Sequence, residues 1–172
     1  MMTPDQLAKA DGEHSHQRAL LQWCNVAAKH GFAVAWAWSD SGSREAFKAS
    51  SFNGQDLVPE LNWLFAIPNG GLRDKITAAK LKHEGVKPGV PDLMLPWPCR
   101  AYAGLFIEMK RPEQREEGVR KATRVKRAAG STSGVQDEWI GQLRHVGYAV
   151  GVAFNWRDAA TQLQSYIEQA RG

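Results

Sequence analysis

An α/β fold, with a mixed central sheet flanked by helices, is what three stretches of this 172-residue sequence predict. Apolar residues recur at helical spacing around residues 12–30, and two short apolar runs between 89 and 110 read as strands. From 135 onward a helical pattern, the strand-like "YAVGVAF" and a second helical pattern follow in turn. Elements alternating in this way pack as layers about one core.

The first helix is predicted over Gly12 to His30, with Ala19, Leu20, Trp23, Cys24 and Ala27 on its core face and Gly31 as its stop. "FAVAWAW" then alternates large and small residues and reads as a strand. The Ser/Gly-rich stretch near 39–55 reads as an exposed loop or insertion. "LNWLFAIP" reads as a further strand, ended by Pro68. "NGGLRDKITAAKLKHEG" is a turn followed by a basic helix. "VPDLMLPW" and "AGLFIEMK" are strands joined by a Pro-rich turn, and the polar, basic stretch 111–133 is a second insertion, either a mobile loop or a short amphipathic helix standing off the core. "VQDEWIGQLRHVG" is a helix whose core face would be Val135, Trp139, Ile140 and Leu143. "RDAATQLQSYIEQA" closes the chain as another helix. No internal repeat or linker divides the chain, so a single domain, 1–172, is expected.

Composition removes several function classes. Hydrophobic residues at 43% and charged residues at 23% are globular values. No apolar run is long enough to span a bilayer, and "MMTPDQLAKADGEHSH" lacks the basic start and apolar core of a secretory signal. A soluble, cytoplasmic protein is therefore expected. Cys24 and Cys99 have no C-x-x-C spacing, and Cys24 falls among core positions. His14 and His16 sit near the start of the first helix and are expected to be solvated. The "NGG" of Asn69 to Gly71 lacks the lysine and hydroxyl of a nucleotide-triphosphate loop, so no nucleotide cofactor is expected. It is either a tight turn or a place where backbone approaches a phosphate. A net charge of +4 suits a polyanionic partner without requiring one.

Asp92, Glu108 and Lys110 are the residues that carry chemistry. A strand sends alternate side chains to opposite faces, so Leu105, Ile107 and Met109 share one face and Phe106, Glu108 and Lys110 the other. Two acids at the ends of neighbouring strands supply the hard oxygen ligands that magnesium takes. A lysine two residues beyond the second acid lands on the same face, where it can orient a water and offset charge building on a phosphate. Either fragment alone would be commonplace; the two together, joined by a short hairpin-like connection, point to phosphodiester hydrolysis.

The order of these segments resembles the PD-(D/E)XK nuclease superfamily, and within it the VRR-NUC family, in the small stand-alone form found in phages and bacteria. The resemblance is carried by "EHSHQ", "IPNGGLR", "GVKPGVPDLML", "GLFIEMK" and "SGVQDEWIGQLRHVGYAVGVAFN", and it runs from Glu13 to the closing helix. It implies a restriction-endonuclease-like core. It also implies that Asp92, Glu108 and the Met109 main-chain carbonyl hold the metal, that Lys110 is the catalytic lysine, and that Gln136 orients the lysine or the water. Glu13 would be a further carboxylate at or near the metal. Glu13 equally fits an acid favoured at a helix N-terminus, and Ser133 with Gln136 equally fits a capping box. The family's Ser-Pro before this glutamine is Ser133-Gly134 here, a change in the turn.

By the same resemblance the cofactor would be Mg2+, with Mn2+ able to substitute. The partner would be DNA, branched DNA such as a four-way junction being favoured, cut by a homodimer. Candidate DNA contacts are Gln17, Asn69, Gly70, Gly71, Arg73, Lys75, Lys87, Arg120, Arg124 and Arg127, binding the backbone in a salt-sensitive way. Two alternatives stand beside this reading: a DNA-binding module that does not cut, and a less selective nuclease on DNA or RNA.

Overall fold

The computed structural model describes residues 2–9, 12–42, 56–68, 80–81, 83–110 and 134–172. Helix α1, Pro4–Ala8, opens the chain under a capping box in which Thr3 and Gln6 each bond the other's backbone N–H. Helix α2, Glu13–His30, buries Ala19, Leu20, Trp23, Cys24 and Ala27, the stripe its spacing requires.

Helix α3, Phe32–Ser41, stands where the alternation of "FAVAWAW" predicts a strand. Its burial follows the helical period instead: Val34, Ala35, Trp38 and Ser39 are buried, while Ala33, Ala37 and Asp40 are exposed. Three alanines favour the helix. Phe32 and Trp36, one turn apart, both meet the Trp23 ring, with centroids at 5.6 and 4.9 Å. Gly31 makes the corner possible: its φ is +89°, and an added Cβ would lie 2.7 Å from the Asp56 carbonyl oxygen. Ser39 to Ser41 thus form the last turn of α3 rather than the start of a loop, and 43–55 and 111–133 lie outside the described residues.

"LNWLFAIP" also departs from a plain strand. Pro59–Trp63 is a 3-10 turn, started by a proline whose φ suits it, and only Phe65–Ala66 pairs as strand β1. The turn is tied to the end of the chain. Both carboxylate oxygens of Glu60 accept from the Arg171 guanidinium, at 2.6 and 2.8 Å.

Strands β2, Leu93–Leu95, and β3, Leu105–Met109, are followed by helix α4, Gly134–His145, strand β4, Ala149–Ala153, and helix α5, Trp156–Arg171. Among the described residues the sheet has the order β1-β2-β3-β4, antiparallel between the first three and parallel between β3 and β4. It is a mixed sheet flanked by helices, as expected.

The two faces of the sheet differ as the alternation demands. Leu93, Leu95, Leu105, Ile107, Met109 and Ala153 join the core built with α2 and α5. Phe106, Glu108 and Lys110 point the other way, toward α4. The core face expected of α4 is half right: Ile140 and Leu143 are buried, but Val135 is exposed and Trp139 half-buried. These two turn toward the loop before β2, where Trp139 Nε1 donates to the Pro88 carbonyl at 3.1 Å. No helix among the described residues is long and apolar enough to cross a membrane.

Candidate active site

The register of the sheet brings Asp92 and Glu108 together. Leu93 pairs with Ile107, so one step further along the ladder Asp92 stands opposite Glu108. The chain bends at Asp92, which lies just before β2. Its main-chain carbonyl accepts from Ile67 N–H at 2.7 Å, while its side-chain Oδ2 accepts from Met109 N–H at 2.8 Å. The carboxylate thus takes the bond that a ladder carbonyl would otherwise supply. Glu13, first residue of α2, completes a group in which Glu13, Asp92 and Glu108 each offer an oxygen within 4.8 Å of the others.

Glu108 and Lys110 are buried, at 2% and 6% exposure, which charged side chains tolerate only when compensated. Lys110 Nζ lies 2.9 Å from Glu108 Oε1 and donates to Gln136 Oε1 at 2.9 Å. The Gln136 amide nitrogen in turn donates to Glu108 Oε1. One glutamine from α4 thereby joins the acid of β3 and the lysine that follows the strand. Glu108 Oε2 is buried and has no hydrogen-bond partner. Burial first, then the charge of Asp92, pushes the Glu108 carboxyl up to about 7, against the hydrogen bond and charge of Lys110; Glu13 pushes it further up.

Three carboxylates facing one ammonium form an unbalanced set. Like charges directly opposite on a sheet repel, and the orphaned Oε2 is a buried acceptor without a donor. A divalent cation would answer both, and an all-oxygen set suits magnesium, manganese or calcium better than zinc. The residues present fit such an ion. Asp92, Glu108 and Glu13 could hold it.

The other expected positions are distributed unevenly. Met109, the last residue of β3, buries its side chain on the core face, between Glu108 and Lys110 in the chain. Gln17 is half-buried one turn after Glu13, and Lys87 is exposed five residues before Asp92. Asn69, Gly70, Gly71, Arg73, Lys75, Arg120, Arg124, Arg127 and Ser133 lie outside the described residues. His14 is exposed as expected, whereas His16 is buried, against expectation, and its Nδ1 accepts from Trp156 N–H at 3.4 Å. It sits where α2 meets the start of α5, so packing between helices outweighs its nearness to the helix end. Both cysteines are buried.

A solved structure described as a VRR_NUC domain protein superposes with a TM-score of 0.54, at 23% identity, covering 92% of this chain and 89% of that one. The chain has the fold of a VRR_NUC domain. No family model matches the sequence, and no curated protein matches it.

Proposed function

We propose that this chain is a metal-dependent endonuclease that hydrolyses DNA phosphodiester bonds. One observation carries the reading: Glu13, Asp92 and Glu108 converge on one point, with Lys110 held beside them by Gln136. The VRR_NUC fold supports it. Asp92, Glu108 and Glu13, with the Met109 carbonyl, are the proposed ligands of Mg2+, for which Mn2+ can substitute. When bound, a divalent cation neutralises phosphate oxygens and acidifies a water.

The chain's own residues do the rest. Lys110 keeps its ammonium at a fixed place through Glu108 and Gln136, from which it orients the attacking water and offsets charge on the phosphate. Gln136 sets the rotamer of both partners, since its carbonyl accepts from the lysine while its amide donates to the acid. Asp92 braces the β2–β3 strand ends through Met109 N–H, so the acids hold their spacing without substrate.

The favoured substrate is branched DNA, a four-way junction above all, cut by a homodimer in a cytoplasmic setting. A two-fold dimer puts two sites on opposed strands of a symmetric junction. The substrate and oligomer rest on the resemblance read in the sequence. Purified protein with Mg2+ or Mn2+ should nick a four-way junction in pairs, with Lys110→Ala and metal-free controls inactive. Metal-dependent cutting of duplex, flap and single strand alike would keep the chemistry and remove junction preference. Tight DNA binding with no cutting under any metal would leave a binding module.

A further inference from the structure

Two large aromatic residues at and just before β1 are left in solvent: Trp63 is 63% exposed and Phe65 50% exposed. Neither takes part in the ring stacks of the described residues, which join Trp23, Phe32, Trp36 and Trp156, and Phe106 with Tyr148. Phe65 is placed by the sheet register. It pairs with Met94, which pairs in turn with Phe106. Residues paired across a ladder share a face, and alternate residues along a strand do too. Phe65 therefore belongs to the face that bears Asp92, Glu108 and Lys110. Ile67, two residues on, donates its N–H to the Asp92 carbonyl. Two residues of strand are about 6.8 Å, close to two nucleotide steps of a stacked strand at about 3.4 Å each.

We infer that Phe65, with Trp63 two positions before it in the chain, is a stacking platform for an unpaired nucleobase one or two nucleotides from the phosphate held at the acids. The inference rests on the nuclease reading and narrows its substrate class to DNA with an unstacked or single-stranded nucleotide beside the cut. An aromatic face accepts any base, so the platform reads strand state rather than sequence. A second copy of the chain is a poorer occupant. Strand β1 has only two residues and offers little ladder for strand addition, and two side chains cover far less than a stable dimer interface needs.

The test uses the full chain with calcium in place of magnesium. It measures the dissociation constants of a fluorescein-labelled 15-nucleotide oligo-dT and a duplex of equal length. Wild type is compared with W63A, F65A, F65L and F65W, each checked for an unchanged melting temperature. F65A and F65L should weaken single-strand binding about five- to a hundredfold, with duplex binding changed less than twofold. F65W should bind like wild type, because it keeps the π face. Leucine serving as well as tryptophan, equal losses on duplex, no single-strand binding by wild type, or dissociation of a dimer by F65A would each overturn the platform. Cleavage with magnesium separates the two readings. Wild type that cuts while the four variants bind and cut unchanged removes the platform alone. The expected binding pattern in a protein that cuts nothing removes the nuclease reading alone.

Discussion

Asp92 and Met109 are joined by a hydrogen bond of 2.8 Å, from the main-chain N–H of the residue between Glu108 and Lys110 to the Asp92 carboxylate. The acid of one strand thus fixes the backbone that presents the acid and lysine of the next. Charge and bracing separate in two variants. Asp92→Asn keeps an oxygen acceptor for Met109 N–H and should leave stability nearly unchanged. Asp92→Ala removes it and should cost about 1 kcal/mol. Both should lower metal-dependent cleavage on the order of a hundredfold or more, because neither supplies a charged ligand. Urea melts beside cleavage rates check this, and full activity in Asp92→Asn would refute a ligand role.

Glu108→Gln should make the metal-free protein more stable, by about 1 kcal/mol. The glutamine keeps an acceptor for Lys110 and Gln136, removes one of three clustered negative charges, and turns the unpartnered Oε2 into a donor facing carboxylates. The same variant should lose most of the gain from Mn2+ or Mg2+. For wild type that gain is about 2.7 kcal/mol at a hundred times the dissociation constant. Thermal melts with EDTA and with excess metal test both halves. A metal-induced rise of equal size in the two proteins would rule out Glu108 as a ligand.

Sequence alternation was enough to sort the two faces of β3, because a strand has only one way to divide Leu105, Ile107 and Met109 from Glu108 and Lys110. It failed in "FAVAWAW", where large and small residues alternate as in a strand, yet the alanines and the Trp23 contacts of Phe32 and Trp36 suit a helix. The capping sequence Thr3-Pro4-Asp5-Gln6 is a local signal for α1, but five residues are too few for the apolar periodicity by which the longer helices show. Burial of His16 depends on which turn of α2 meets α5, a tertiary fact with no local signature. Exposure of Trp63 and Phe65 is hidden for the same reason: an apolar run does not say which of its residues the sheet leaves uncovered. The meeting of Glu13 with Asp92 and Glu108 joins residues more than seventy positions apart. It was suggested by resemblance in the sequence, while the structural likeness at 23% identity speaks to fold alone.

Gly89→Ala should misplace Gln136. Gly89 has φ +83°, and an added Cβ would lie 2.8 Å from Val135 Cγ1 and 3.1 Å from the Val135 carbonyl group. The residue after Val135 is the glutamine that joins Glu108 to Lys110. Strain in the left-handed region adds to the clash, for a stability loss of about 1–3 kcal/mol. Cleavage should fall through kcat more than KM, since the shifted group positions the lysine. A variant that loses stability but keeps kcat would show that the turn and the glutamine move independently.

Glu60 and Arg171, which are not among the acids of the candidate site, set an acid-side stability limit. Burial works against the Glu60 charge, but the fork of hydrogen bonds from Arg171, a backbone hydrogen bond and the Arg171 charge outweigh it and hold the carboxyl below its usual value. A depressed carboxyl contributes stability in full above its unfolded pKa of about 4.3. That contribution is lost as pH falls through the lower, folded value. Arg171 is 37% exposed, so solvent screens the pair and its contribution at neutral pH should be only about 1–2 kcal/mol. Urea melts of wild type and Glu60→Gln should therefore differ by a constant amount between pH 7 and about 5. The gap should close as the wild-type carboxyl takes up its proton below about pH 4. A gap that widens toward acid would mean that the folded carboxyl is raised rather than lowered, and that burial, not Arg171, decides its charge.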